Sequence, residues 1–421
     1  MATPPPTPKR RRRRSLLDLD DDLIPEILLR LSPYKPECLI RCSAVCKPWR
    51  RLLTDPAFLR RYREFHGAPP VLGVLLDLDL EHPRDYFVAR FFRTTSFRPR
   101  AIDHGGCYTR DARHGRVLFS NVTGDEGEHD LLVWNPITGE RWELLMPVIP
   151  EMQWNVTVLC AAAAREGGGG CDHLGCHSEP FLVAFVNSNG DGTTCAYVYS
   201  SEAAAWSDAA CAEHPNGIPD MDMEPCTLVG NRIYGLAAES KTIVEYDLGC
   251  RKLAFIDRPS AYNGRGVLMP AMGGGLGFAG VQGSCLYLWS RETGGPDRNV
   301  AWTQSKVLEL NTLRGQVPGK KPTTAGFAEG LGIIFVKTDA GIFAINIKSG
   351  RVKKMSSRST YNYSVIPYMG FYTPDHATGS RWPPVAGSEE EEARFITHHP
   401  PLLVFDPVIL FVRLHSAILK P

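Results

Sequence analysis

The chain has 421 residues, 43% of them hydrophobic and 22% charged, with a formal net charge of +1. That length suffices for a small module plus one large domain or two medium ones, and the balanced charge gives the molecule as a whole no electrostatic bias toward nucleic acid or an acidic surface. Twelve cysteines are too dilute for a disulfide scaffold. There is no apolar N-terminal segment to act as a signal peptide, so the thiols are expected to be reduced and the protein to reside in the nucleus, the cytoplasm or both.

Residues 1–15 hold Pro4-Pro5-Pro6, Pro8 and the basic run Lys9–Arg14. This composition predicts a disordered tail, because it has too little apolar surface to build a core. The run reads as an import signal, as a nucleic-acid patch or as a solvated tail with no receptor. For the chain as a whole neither a nucleic-acid nor a membrane partner is expected.

Residues 16–66 predict a helical module. Leu23, Ile27, Leu28 and Leu31 recur at helical spacing and make one apolar face. Asp20, Asp21 and Asp22 precede it, where acidic groups cap free N–H donors and oppose the helix dipole. With Asp22 as the cap, Pro25 falls in the first turn, where its missing N–H costs little. A second run carries Leu39, Cys42, Val45, Cys46 and Trp49, with Pro48 as its predicted break. Asp55-Pro56 then starts a third helix with Phe58, Leu59 and Tyr62 on its apolar side. Three short helices bury little surface by themselves. The apolar groups therefore need the chain's own β domain or a partner.

These residues carry a resemblance. Leu19-x-x-Asp22-Leu23-Ile24-x-Glu26-Ile27-Leu28-x-Arg30-Leu31, then Leu39-x-Arg41-Cys42-x-x-Val45-Cys46-Lys47-x-Trp49-Arg50-x-Leu52, then Asp55-Pro56-x-Phe58 resemble an F-box, over about a tenth of the chain. Asp20 stands where the family usually has proline after the first leucine. The resemblance implies docking to the Skp adaptor of a cullin–RING ubiquitin ligase. It also implies an adaptor-binding face made of Leu19, Leu23, Ile27, Leu28, Leu31, Leu39, Val45, Cys46 and Trp49. Trp49 is the expected hot spot, and it reads equally as a core tryptophan of the module; both roles are compatible.

From residue 69 to 375 the pattern turns to strands. Val71–Leu76, Val117–Phe119 and Leu131–Trp134 are followed by a turn at Thr138-Gly139 and a return strand Arg141–Leu145. Comparable units run through Phe181–Val186 to Trp206, through Thr227–Tyr234 to Leu248, through Cys285–Trp289 to Trp302, and through Ile333–Val336 to Ser349-Gly350. Units spaced by roughly 45–65 residues fall within reach of a kelch-like period, and four-stranded units of that size predict about six propeller blades. Val133-Trp134-Asn135-Pro136-x-Thr138-Gly139, Ala325–Gly330 and Pro367-Tyr368-Met369-x-Phe371-Tyr372 resemble the propellers attached to plant F-boxes, which implies a substrate-recognition platform. The expected architecture is α+β multidomain: a small N-terminal helical F-box followed by an all-β propeller-like domain. Residues 376–421, with the acidic run Glu389–Glu392, read as an acidic loop and an irregular C-terminal tail.

Signals for chemistry are sparse. Gly275-Leu-Gly277-Phe-Ala-Gly280 has dinucleotide-fingerprint spacing, but a strand rather than a helix is predicted after it. Cys171-Asp-His173-Leu-Gly-Cys176-His177 offers zinc-type ligands, with Cys160 and His214 as possible partners, or a surface loop. Trp134, Trp206, Trp289 and Trp302 read as blade core or as a sugar or base platform. No serine elbow, Walker loop or His-Glu-x-x-His motif occurs. No catalytic residue, cofactor or metal site is assigned. Two functions stand. One is a non-catalytic substrate receptor that joins an unidentified target protein to a Skp-type adaptor and, through it, to cullin. The other is a stand-alone propeller that binds a ligand or acts as an enzyme, with the helices as decoration.

Overall fold

The computed structural model describes residues 23–78, 88–100, 107–123, 128–147, 153–164, 175–176, 179–189, 191–214, 224–237, 241–292, 301–310, 322–356 and 364–376. The first part holds four helices where the sequence predicts three: α1 (Leu23–Leu29), α2 (Pro36–Ser43), α3 (Lys47–Leu53) and α4 (Pro56–His66). The run from Leu39 to Trp49 splits at Ala44–Cys46. Pro48 stands in the first turn of α3, where no N–H is needed, and does not end a helix. Asp55 caps α4 as expected, its Oδ1 accepting from the N–H groups of Ala57 (2.9 Å) and Phe58 (3.0 Å). Leu19 and Asp22 lie outside the described residues.

The strands then follow in order. β1 (Val71–Leu78) pairs β2 (Val88–Arg93). The next sheet is β3 (Cys107–Arg113), β4 (Arg116–Thr123), β5 (Glu128–Trp134) and β6 (Arg141–Leu145). After it come β7 (Gln153–Cys160), β8 (Phe181–Ser188), β9 (Thr193–Ser200) and β10 (Ala205–Trp206), with β11 (Ala210–Glu213) also paired to β9. The fourth sheet is β12 (Thr227–Val229), β13 (Arg232–Leu236), β14 (Thr242–Asp247) and β15 (Lys252–Asp257). The fifth is β16 (Gly266–Pro270), β17 (Leu276–Gln282), β18 (Cys285–Arg291) and β19 (Thr303–Glu309), and the sixth is β20 (Thr323–Ala328), β21 (Ile333–Thr338), β22 (Gly341–Asn346) and β23 (Val352–Ser356). Finally β24 (Ile366–Met369) returns to pair β1, with Leu75 opposite Ile366 and Gly73 opposite Tyr368. Six antiparallel sheets therefore make six blades, and the last strand closes the ring through the first. Closure ties the first and last parts of the ring into one sheet, and each blade keeps only a short outer edge strand such as β6 or β23.

Period-2 alternation explains how the blades stack. On β4, Val117 and Phe119 join a core with Leu72, Leu75 and Tyr368 of the first blade, while Leu118 between them points to a core with Val156, Val158 and Val183 of the third. On β5, Trp134 takes the first side and Leu131 and Val133 the second. The same rule gives buried clusters between the third and fourth blades (Leu182, Ile233), the fourth and fifth (Tyr234, Phe278), the fifth and sixth (Val267, Ile334) and the sixth and first (Val71, Phe335).

Two local devices recur. At the turn into the outermost strand, Asn135, Asp247 and Asn346 each accept two backbone N–H groups with Oδ1: Ile137 and Thr138, Gly249 and Cys250, Lys348 and Ser349. Four residues on, Gly139, Arg251 and Gly350 adopt positive φ, which glycine accepts without strain. Farther out, Trp206 Nε1 donates to Leu145 O (2.9 Å) and Trp302 Nε1 to Asp257 O (2.7 Å), each joining a blade to its predecessor. Trp134 and Trp289 are buried in blade cores, so these four indoles serve packing and blade attachment.

Three sequence expectations bear on these strands and loops. Gly275–Gly280 runs from a hairpin straight into β17 and a second hairpin, so no helix N-terminus faces those glycines and the dinucleotide spacing is incidental. Cys195 and Cys211, expected as free thiols, are joined by a disulfide, because they are register partners on β9 and β11 with Cα atoms 4.1 Å apart. Most of the Cys171–His177 stretch lies outside the described residues.

The ring seam gives a direct prediction. Any side chain on Gly326 of β20 would drive its Cβ into the carbonyl oxygen of Val365, just before β24. Val365 N donates to Ala325 O (2.6 Å) at the same point. Gly326→Ala is expected to lower stability by about 1–3 kcal/mol in chemical denaturation, because backbone cannot move aside as a side chain would.

Candidate docking face of the helical module

The four helices enclose a core of Leu28, Leu29, Leu31, Leu39, Cys42, Leu53, Phe58, Leu59 and Tyr62, and Phe371 from beyond β24 completes it. Tyr62 donates its hydroxyl to Leu31 O (2.8 Å), and its ring meets that of Phe371 edge-on, with centroids 6.0 Å apart. Ser96 adds a hydroxyl bond to the Glu37 carboxylate. The module is thus seated on the propeller through one side. A core this small gains from a borrowed aromatic ring.

The other side is open. Leu23 and Ile27 of α1 are 49% and 39% exposed, and Val45, Cys46 and Trp49 are half-buried. Trp49 packs on the module core with part of its ring still accessible. Leu28, Leu31 and Leu39 sit inside that core, where they hold the helices in place beneath the open surface. Helical periodicity marked the apolar residues correctly as a face, but it does not distinguish the inner from the outer half of a thick apolar stripe.

Two further aromatics of the module are exposed and were not singled out by the sequence pattern. Tyr34 lies between α1 and α2, and Phe65 lies three residues beyond Tyr62, at the margin of the α4 stripe. The Arg30 guanidinium stands 6.0 Å from the Phe65 ring centre. Glu26 pairs with Arg61 and Arg30; the Arg61 bond, more than any other contact, holds the Glu26 carboxyl below the usual range. Burial pushes the Cys42 thiol up to about 11, which keeps it protonated and unreactive.

The junction behind this face contains two histidines. His66 places Nε2 3.0 Å from Leu29 O and packs against Tyr62, and His376 stacks on Tyr372. Burial is the leading cause that lowers the pKa of both; backbone carbonyls partly offset it for His66, and Asp375 does so for His376. The unfolded chain therefore takes up these protons first, near pH 6.5. Stability from the neutral rings is present above that pH and is lost as pH falls through it. The thermal midpoint is expected to drop between pH 7.5 and 5.5, and to drop less in His66→Phe.

The propeller offers a second surface around its axis. Inner strands β3, β12, β16, β20 and β24 line a narrow channel of about 80 Å³. Arg113 on β3 lies between Asp111 (3.7 Å) and Glu329 (3.2 Å) and donates to Cys226 O (2.8 Å). Burial works against the Arg113 charge, but the two carboxylates outweigh it and raise its pKa. Arg265 meets Glu224, another lining residue, at 2.6 Å. Among the described residues these side chains form ion pairs that brace neighbouring blades. Among the described residues no cluster of three or more His, Cys, Asp or Glu is placed to hold a metal ion. Cys176 instead lies near buried Arg116, and His214 packs on Phe255. Nor is any described helix long and apolar enough to cross a membrane.

An exposed apolar helical face carried on a six-bladed ring makes a two-part architecture. The F-box domain model matches residues 16–61, and the model of the F-box protein AT5G49610-like β-propeller matches residues 108–376. The chain belongs to the F-box proteins with an AT5G49610-like β-propeller. It is similar to two Arabidopsis thaliana proteins. With the putative F-box protein At3g16210 it is 27% identical over 203 residues, covering 47% of this chain and 48% of that protein. With the putative F-box protein At5g52610 it is 29% identical over 131 residues, covering 31% and 34%. The chain thus spans about half and about a third of the length of these curated relatives. Among solved structures, a protein of unknown function from Bacteroides caccae aligns over 70% of this chain and 98% of its own, at 9% identity and a TM-score of 0.41, too loosely to support an argument.

Proposed function

We propose that the protein is the substrate-recognition subunit of a Skp–cullin–F-box ubiquitin ligase. Its helical module docks on a Skp-type adaptor, the adaptor connects it to cullin, and the propeller holds a target protein. The observation that carries this is the sidedness of the module: Tyr62 and Phe371 bind one side to the ring, while Leu23, Ile27, Val45, Cys46 and Trp49 remain accessible on the module surface. Leu28, Leu31 and Leu39 act by holding that surface in shape, and Leu19, outside the described residues, is proposed as an adaptor-binding residue on the F-box resemblance alone. The subunit is a non-catalytic receptor. Holding a target near a charged conjugating enzyme raises the local concentration of its lysines, and no bond chemistry by the receptor is needed. A kelch-like relation of the blades belongs to this proposal and is supported by four-stranded units of roughly fifty residues. So does residence in the nucleus or cytoplasm, where that machinery works. The test is assembly: full-length chain, Skp-type adaptor and cullin are mixed and run on size exclusion. A ternary peak that needs the adaptor supports the proposal; a chain that elutes alone overturns it.

A further inference from the structure

The third blade carries its outer strand in two pieces. β10 and β11 both pair with β9, and Ser207 lies between them. Ser207 donates its N–H to Val198 O (2.9 Å) and accepts the Val198 N–H at Oγ (3.1 Å). The ladder then breaks and resumes with Ala210 opposite Ala196, Cys211 opposite Cys195, Ala212 opposite Thr194 and Glu213 opposite Thr193. No side chain of β11 is fully buried. A four-residue edge strand without buried side chains is weakly held by pairing alone, and the Cys195–Cys211 bond supplies the covalent part of its attachment.

The flanks of β11 are held by the fourth blade. Arg251, at the turn into β15, donates to Asp208 O. His214 places Nε2 3.4 Å from Thr242 Oγ1 of β14 and packs edge-on against Phe255 of β15, with centroids 4.7 Å apart. The segment 208–214 is therefore anchored at both ends on one blade and bonded in its middle to the other. The two half-cystines are unequal: Cys195 is buried, at 5% exposure, and Cys211 is exposed. A thiolate approaching from solution meets Cys211 first, with Cys195 as the leaving group.

We infer that Cys195–Cys211 is a redox latch, a reversible disulfide that low-molecular-weight thiols open, freeing β11 from β9 at the outer rim between the third and fourth blades. The external thiolate attacks Cys211 Sγ and forms a mixed disulfide, while Cys195 leaves as a thiolate and takes up a proton. A second external thiolate attacks the external sulfur of the mixed disulfide and releases Cys211, which is protonated in turn. Two external thiols become one disulfide, and the protein gains two electrons and two protons as two thiols. An accessible disulfide in contact with a thiol pool is transient or redox-sensing. Arg251 and His214 keep the ends of the freed segment in place, so the two thiols stay at high effective concentration and close again on oxidation. The latch goes beyond adaptor docking and does not rest on it, since no residue of α1 to α4 takes part.

Equilibration of the full chain in glutathione buffers from oxidised to reduced tests this, with acid quench, alkylation in denaturant and peptide mass spectrometry. Cys195 and Cys211 are expected to become alkylated together as the buffer turns reducing, while buried, free Cys226 is alkylated throughout. Hydrogen exchange of the reduced chain is expected to show loss of protection over 193–196 and 210–213, with β6 and β23 unchanged. Cys195→Ser is expected to take glutathione on Cys211, and Cys211→Ser to leave Cys195 unmodified. A bond that persists in reduced glutathione, a pair that stays alkylated in oxidised glutathione, or reduction without loss of protection overturns the inference. If the serine variants melt early, the exchange comparison on the unaltered chain decides alone.

Discussion

Val45→Asp combined with Trp49→Ala is expected to abolish capture of a Skp-type adaptor by the full-length chain. Trp49 is half-buried, with its inner edge on the module core and its outer part accessible. Truncating a central tryptophan of an interface typically costs about 2 kcal/mol or more. A carboxylate at position 45 would have to be desolvated against the adaptor, at a further cost of about 2 kcal/mol. Together these amount to about 4 kcal/mol, or roughly a thousandfold in affinity, at about 1.4 kcal/mol per decade. Because Trp49 also supports the core, Ile27→Asp provides the control: Ile27 is 39% exposed and its substitution leaves the core residues in place. Pull-downs should show loss of adaptor in both variants, with propeller unfolding unchanged.

Asp111→Ala is expected to destabilise the propeller by about 3–5 kcal/mol, the range for removing one partner of a buried ionic contact. Its side chain is 4% exposed. It accepts the N–H groups of Ala112 (2.9 Å) and Val158 (3.1 Å) and the hydroxyl of Thr157, and it neighbours Arg113. Val158 and Thr157 belong to β7, so one carboxylate joins the inner strands of two successive blades. Alanine leaves these donors and part of the Arg113 charge without a partner in a site that admits little water. Urea unfolding should show a lower midpoint, and Asp111→Asn should fall between the two because it keeps one acceptor oxygen.

Much of the architecture was legible because it is local. The short apolar runs that become strands, such as Val117–Phe119 and Leu131–Trp134, are bounded by turn residues within a few positions. Asn135-x-x-x-Gly139 and Asn346-x-x-x-Gly350 mark blade turns through side chains that bond their own backbone. The equivalent turn at Asp247 was harder to see, since Arg251 takes the positive φ where the others have glycine. Closure was not legible: β24 meets β1 across nearly the whole ring, and no short-range pattern specifies that register. The division of the apolar module residues into buried and exposed was likewise hidden. Leu23 and Leu28 both fit a helical stripe, but which of them faces outward depends on how α4 and Phe371 fill the other side. The break between α2 and α3 contains no glycine, and the nearby proline pointed to the wrong residue. The Cys195–Cys211 pair arises from strand pairing at an edge, which cysteine spacing does not encode.

The central claim is that one side of the helical module belongs to a partner while the ring remains available for a target. Hydrogen exchange of the full chain, free and bound to a Skp-type adaptor, tests it most directly. Slowed exchange confined to 23–31 and 39–53, with strands 71–369 unchanged, is the predicted result. Slowed exchange in the propeller strands with α1 to α3 unaffected, or no change anywhere at saturating adaptor, would contradict it.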